Sequence, residues 1–274
     1  MTAVAMGPAP YDPARTALDI SILCLALAVP SAIAFGLDAR TINEVNIWSK
    51  PLKFQWSFAL HWLTVAWLVR QFSSPPVSAP SLRWWLRIGA FASVVEVFYI
   101  TLQAARGRAS HFNFSTPLES CLYYGLMGGA AVLMMLATTA VGWRLWRQTG
   151  PVERRTGLWL GAVLGLVVAS ILTLLVTAPL AAGVIDGPGH WVGGTRTDAT
   201  GLPVFGWSTT GGDLRVPHFF TTHLLQALPL VGWIADRRRS QRPRAWVWMA
   251  LGVGMAWMLF TGWQAVTGRP FWGG

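Results

Sequence analysis

AAGVIDGPGHWVGGTRTDATGLPVFGWSTTGGDLR (181–215) separates two apolar runs, 155–180 and 216–236, and everything else is read from its position. It holds nine glycines in 35 residues, with several Thr and Trp and few charges. Connections of this length without structure of their own are uncommon in compact proteins, and are usually functional or disordered. Low charge and abundant aromatic residues are not the composition of a disordered segment. The expectation is a folded cap over a polar site. It leads into VPHFFTTHLLQALPL (216–230), whose first turns carry two histidines and a glutamine.

Working outward, apolar runs recur at 17–37, 52–71, 82–105, 117–146, 155–180, 216–236 and 244–267. The chain is 53% hydrophobic and 12% charged, against about 25% charged in a soluble protein. Each run can span about 30 Å of hydrocarbon as a helix, and helices satisfy their own backbone in lipid. The predicted fold is all-α: a polytopic seven-transmembrane-helix bundle with a long Gly-rich outer loop between helices 5 and 6. Its parts are an N-terminal tail (1–16), a membrane domain (17–267, cap loop 181–215) and a C-terminal tail (268–274). SAIAFG (31–36) resembles a signal-peptide cleavage site, but Arg15 is the only base before a late apolar run, so 17–37 is kept as a helix.

Charge sets the expected orientation. One side collects thirteen arginines against four acids; the other has eight bases against six acids. The positive-inside rule then puts the N-terminus in the cytoplasm and the C-terminus on the non-cytoplasmic side of a bacterial inner membrane. The net charge of +10 belongs to this asymmetry, so no nucleic-acid partner is expected. Cys24 and Cys121 fall at different depths and are read as unpaired buried residues.

Polar side chains concentrate in the outer half. Counted from the outer helix ends at 1.5 Å per residue, His61, Glu96 and Gln226 lie roughly 13 Å deep and His223 roughly 9 Å. Ionisable groups inside a span are costly and point to function. Glu96, Tyr99 and Gln103 share one helix face at i, i+3, i+7. His223 and Gln226 share another. His218 points roughly 140° away from His223, which assigns it to the rim. His190, in the cap loop, is read as a surface residue.

QAARGRASHFNFSTPLESCLYY (103–124) forms a second outer motif. Ser115 or Thr116 should cap the next helix, with Pro117 at its first position and Glu119 in its first turn. That holds His111 and Asn113 in a short fixed loop. Arg106 and Arg108 run against the charge bias, and either pair with Glu119 or Asp213 or contact an anion. Lys53, beside Lys50 and Pro51, is either an interfacial lysine or part of a positive rim.

No zinc-protease, serine-hydrolase or phosphate-loop motif is present, and the last helix lacks a lysine for a retinal Schiff base. Three functions remain. The first is a membrane redox protein binding haem b or a metal ion through His61 and His223, with Gln226 and Gln103 beside them. It predicts that the two imidazoles converge. The second is an enzyme acting on an anionic lipid, isoprenoid or quinone-like ligand, with Glu96 and His223 as catalytic acid and base. Arg106, Arg108, His111, Asn113, His218 and Lys53 would form its substrate rim. The third is a subunit or assembly factor docking other membrane subunits through the cap loop. In all three the lipid bilayer is the surrounding partner.

Overall fold

In the computed structural model, residues 12–72 and 80–273 are described. Residues 1–11 of the expected N-terminal tail lie outside them, as does Gly274. The protein is mostly helical. Its long helices are α1 (Pro13–Leu37), α2 (Ser49–Gln71), α3 (Pro80–Ala105), α4 (Pro117–Gln148), α5 (Gly157–Ala182), α6 (Arg215–Arg237) and α7 (Pro243–Val266). Five of them, α1, α3, α4, α5 and α7, are long and apolar enough to cross a membrane. Helices α2 and α6, 23 residues each, fall outside that group because they carry interior polar residues: Lys50, Gln55 and His61 on α2, and His218, His223 and Gln226 on α6.

Successive helices pack as neighbours from α3 to α7, and α2 packs on both α1 and α3. Helix α2 also touches α6 over a short stretch. Helices α2–α6 therefore surround the interior, while α1 and α7 lie outside and bury least of their length. At one end the connections touch one another: Arg40 donates to the Ala105 carbonyl at 3.2 Å, and Thr197 donates to the Glu44 carboxylate. At the opposite end Arg70 pairs with Asp12 at 3.3 Å. We refer to these as the loop-rich and arginine-rich ends.

The arginine-rich half is closed by backbone contact. Gly157, Gly161 and Gly165, four residues apart, form the face of α5 that meets α6. A Cβ on Gly161 would sit 2.3 Å from the Leu228 carbonyl oxygen, and one on Gly232 would sit 2.2 Å from that of Gly157. Small residues at this spacing let membrane helices approach closely. Asp236 of α6 completes the joint by accepting from the Gly157 and Leu158 amides, each at 2.8 Å. It thereby satisfies two of the donors left free at the start of α5.

Two segments depart from regular α geometry. Leu122–Gly128 in α4 and Leu164–Ala169 in α5 are π-helical, a form concentrated at functional sites. Two short ladders lie in the loops. β1 (Thr41–Ile42) pairs with β2 (Val45–Asn46) across Asn43 and Glu44, both at positive φ. β3 (Trp191–Val192) pairs with β4 (Gly212–Asp213), pinching the base of the 183–214 loop. Both cysteines are unpaired; Cys24 is buried, but Cys121 is exposed, on the outward face of α4 rather than in the core.

Candidate functional site

Loop 106–116 is held by one carboxylate. Thr116 caps α4 by accepting from the Glu119 amide at 3.1 Å, with Pro117 at the first position. Glu119 is buried, and Arg108 reaches its Oε1 at 3.0 Å with Arg106 at 4.0 Å. Gln103 donates to its other oxygen at 2.8 Å, and Tyr99 donates to the same oxygen at 3.4 Å. Arg106 and Arg108 thus pair with Glu119, while Asp213 pairs with Arg215. Asn113 serves the loop's own architecture, donating to the Ala109 carbonyl at 3.1 Å.

That loop carries His111 over the interior, with its ring among Phe54 (5.4 Å), Tyr123 (5.9 Å) and Phe112 (6.4 Å). Ser110 bonds its Nδ1 at 3.1 Å, leaving Nε2 unengaged. Burial holds the His111 imidazole well below its ordinary pKa, reinforced by the nearby Lys50 and His218. His218 in turn lies within electrostatic reach of His223, and His223 of His61. Lys50, His111, His218, His223 and His61, carried by α2, α6 and the 106–116 loop, are therefore each within electrostatic reach of the next.

Lys50, His111 and His218 are each half-buried. Among the described residues Lys50 makes no hydrogen bond and no ion pair. Lys53, one turn on, is exposed and donates to the Phe205 carbonyl at 2.8 Å, tying the cap loop to α2.

Three imidazoles in this series have tautomers assigned from their hydrogen-bond partners. Thr177 donates to the Thr173 carbonyl (2.6 Å), so it accepts from His218 Nδ1–H at 2.8 Å. Thr138 donates to the Met134 carbonyl (2.9 Å), so it accepts from His61 Nε2–H at 3.2 Å. His223 Nδ1–H donates to Gln226 Oε1 at 3.2 Å. The free lone pairs are consequently His218 Nε2, His223 Nε2 and His61 Nδ1. His218, expected at the rim, faces α5. His223 is half-buried on the side of α6 that turns toward α2.

Glu96 stands apart. Among the described residues it is buried with Oε1 unpartnered. Tyr99 and Gln103, on the same face of α3, are both turned to Glu119.

The cap loop has its own ionic core, which corrects the reading of His190 as a surface residue: it is 6% exposed. Its Nε2 meets Asp198 at 3.2 Å, and Arg215 holds Asp198 at 2.9 Å and Asp213 at 2.7 Å. Burial depresses the His190 pKa despite the adjacent Asp198 carboxylate. Burial raises that of Asp198, but the His190 hydrogen bond and the Arg215 charge outweigh it and leave Asp198 below its ordinary value. No residue pattern near His190 signals this burial; the partners are eight and 25 residues away.

Among the described residues, no three His, Cys, Asp or Glu side chains are grouped to hold one metal ion. An apolar cavity of about 240 Å³ lies between α1 and α3, lined by Leu23, Cys24, Leu27, Val94, Val97 and Phe98, away from the histidines. Neither family models, curated proteins nor solved structures match the chain.

Proposed function

We propose that the chain is a membrane-embedded enzyme that takes an anionic substrate into a cleft lined by Lys50, His111, His218 and His223 and acts on it by imidazole acid–base catalysis. The observation that carries this is Lys50: a half-buried amine with no hydrogen bond or ion pair among the described residues, next to His111 and above histidines with free lone pairs. An unpaired buried charge is costly, and a ligand carboxylate or phosphate would supply the missing partner. His218 and His223 would act as acid and base. All seven helices would cross a bacterial inner membrane. The arginine-rich end would face the cytoplasm and the cleft the other side.

The test uses purified full-length protein. A phosphate- or carboxylate-bearing compound should raise its thermal midpoint, and Lys50→Gln should remove the effect. Retention of the full shift in Lys50→Gln would reject the assignment.

One observation favours a second reading, haem ligation: His61 on α2 and His223 on α6 lie within electrostatic reach of each other. It requires His61 to release Thr138 or to ligate through Nδ1, the nitrogen nearer its own backbone. An optical spectrum decides it, since ligated haem gives a Soret band that His223→Ala removes.

A further inference from the structure

We infer that the cleft is entered sideways from the bilayer, through the seam between α2 and α6, by an anionic amphiphile. Its head group meets Lys50 and its tail stays in the seam. This rests on the reading of the cleft as a binding site and names the substrate class.

The aqueous side is shut by a pinned loop. Lys53 binds the Phe205 carbonyl, Arg215 holds Asp198, and Thr197 reaches Glu44. The base of the loop, β3 with β4, is seated on α7, where a Cβ on Gly212 would lie 2.0 Å from the Ala265 carbonyl oxygen. A soluble ligand would have to break several of these ties.

The membrane side is closed far less. Helices α2 and α6 meet over a short stretch, unlike the other neighbours around the interior. On α6 the half-buried His223 and Gln226 share a face with exposed Ala227 and Leu230. A polar pair left partly open at mid-helix is unfavourable against hydrocarbon and suits a passage for a polar head group. Phe219 packs on His223 at 4.3 Å and on Phe205 at 5.3 Å, giving the upper seam an apolar wall. Lys50 and Lys53 lie on α2 above it. The cationic end and apolar flank match an amphiphile with a phosphate or carboxylate head.

Because the tail occupies the seam, blocking the seam weakens equilibrium binding as well as entry. Phosphatidate in detergent micelles and inorganic phosphate are titrated against the full chain, read by thermal shift and by native mass spectrometry. Ala227→Trp and Leu230→Trp place bulk at exposed positions, and a protein that retains its unliganded midpoint is the one assayed. Phosphatidate binding should fall at least tenfold in either variant and be lost in Lys50→Gln, with inorganic phosphate unable to compete. If phosphatidate binds both Trp variants as tightly as the wild type while Lys50→Gln still fails, lateral entry is wrong and the binding site stands. If inorganic phosphate alone gives the Lys50-dependent shift, the substrate is a soluble anion. If nothing depends on Lys50, both inferences fall.

Discussion

Arg108 reaches the buried carboxylate of Glu119 at 3.0 Å, and through that bond the loop bearing His111 is fixed to the start of α4. Gln103 and Tyr99 use the other carboxylate oxygen, so one acid joins α3, the loop and α4. Removing Arg108 leaves the charge with Gln103 and a more distant Arg106. Arg108 is half-exposed, so solvent screens much of the attraction. Arg108→Gln is expected to cost on the order of 1 kcal/mol, and Glu119→Gln about as much. Both should lower the thermal midpoint in detergent and weaken any Lys50-dependent binding, because His111 loses its anchor. Unchanged binding in both variants would detach the loop from the cleft.

The loop histidines give a pH dependence of defined sign. His111 and His190 ordinarily titrate near 6.5, and burial holds both below that value when folded. Below 6.5 the unfolded chain takes up protons that the folded chain does not. Their contribution is thus complete above 6.5 and is lost as pH falls through it. Asp198, kept below its ordinary 3.8, stays anionic across this window. The midpoint should fall between pH 7.5 and 5.5, less steeply in His190→Gln. A flat profile in the wild type would mean that these imidazoles become solvated before unfolding.

The α5–α6 joint predicts a contrast between glycines. A methyl on Gly161 would overlap the Leu228 carbonyl oxygen at 2.3 Å, whereas one on Gly252 meets nothing within 4 Å. Gly161→Ala should destabilise by about 1–3 kcal/mol, the usual cost of overpacking. Gly252→Ala should be neutral or slightly stabilising through helix propensity. Equal midpoints for the two variants would show that the helices separate freely at this seam.

The parts of this arrangement legible in the sequence are those fixed locally. Apolar length gives helical, membrane-type segments: the run 82–105 lies within Pro80–Ala105, and 155–180 overlaps Gly157–Ala182. Capping chemistry locates Thr116 and Pro117, and the charge exception at Arg106 and Arg108 points to Glu119. Rotation of a helix about its axis is set by distant partners instead. Counting depth cannot show that His218 turns to Thr177 while His223 turns to the seam, or that Cys121 faces outward. Lys50 reads as one of two interfacial lysines until the fold brings His111 within its electrostatic reach. His190 is buried by Asp198 and the aromatic rings beside it, contacts that no spacing announces.

The tautomer of His218 is the most direct test of the cleft's chemistry, because it needs no substrate. Thr177 spends its proton on the Thr173 carbonyl at 2.6 Å, so its remaining capacity toward His218 is to accept. This assigns the His218 proton to Nδ1 and presents Nε2 as a base. In Thr177→Val the acceptor is gone, and Nδ1–H would be left buried without a partner, at a cost of about 1–3 kcal/mol. The ring should respond by flipping or changing tautomer. Nitrogen-15 spectra of histidine-labelled protein should show a protonated Nδ1 and an unprotonated Nε2 for His218 in the wild type, and a mixed or reversed pattern in Thr177→Val. General acid–base groups contribute about 10²- to 10⁴-fold to turnover; a base presented on the wrong nitrogen loses that contribution even though the imidazole remains. A wild-type His218 protonated on Nε2 would remove it as the base and leave His223 to act alone.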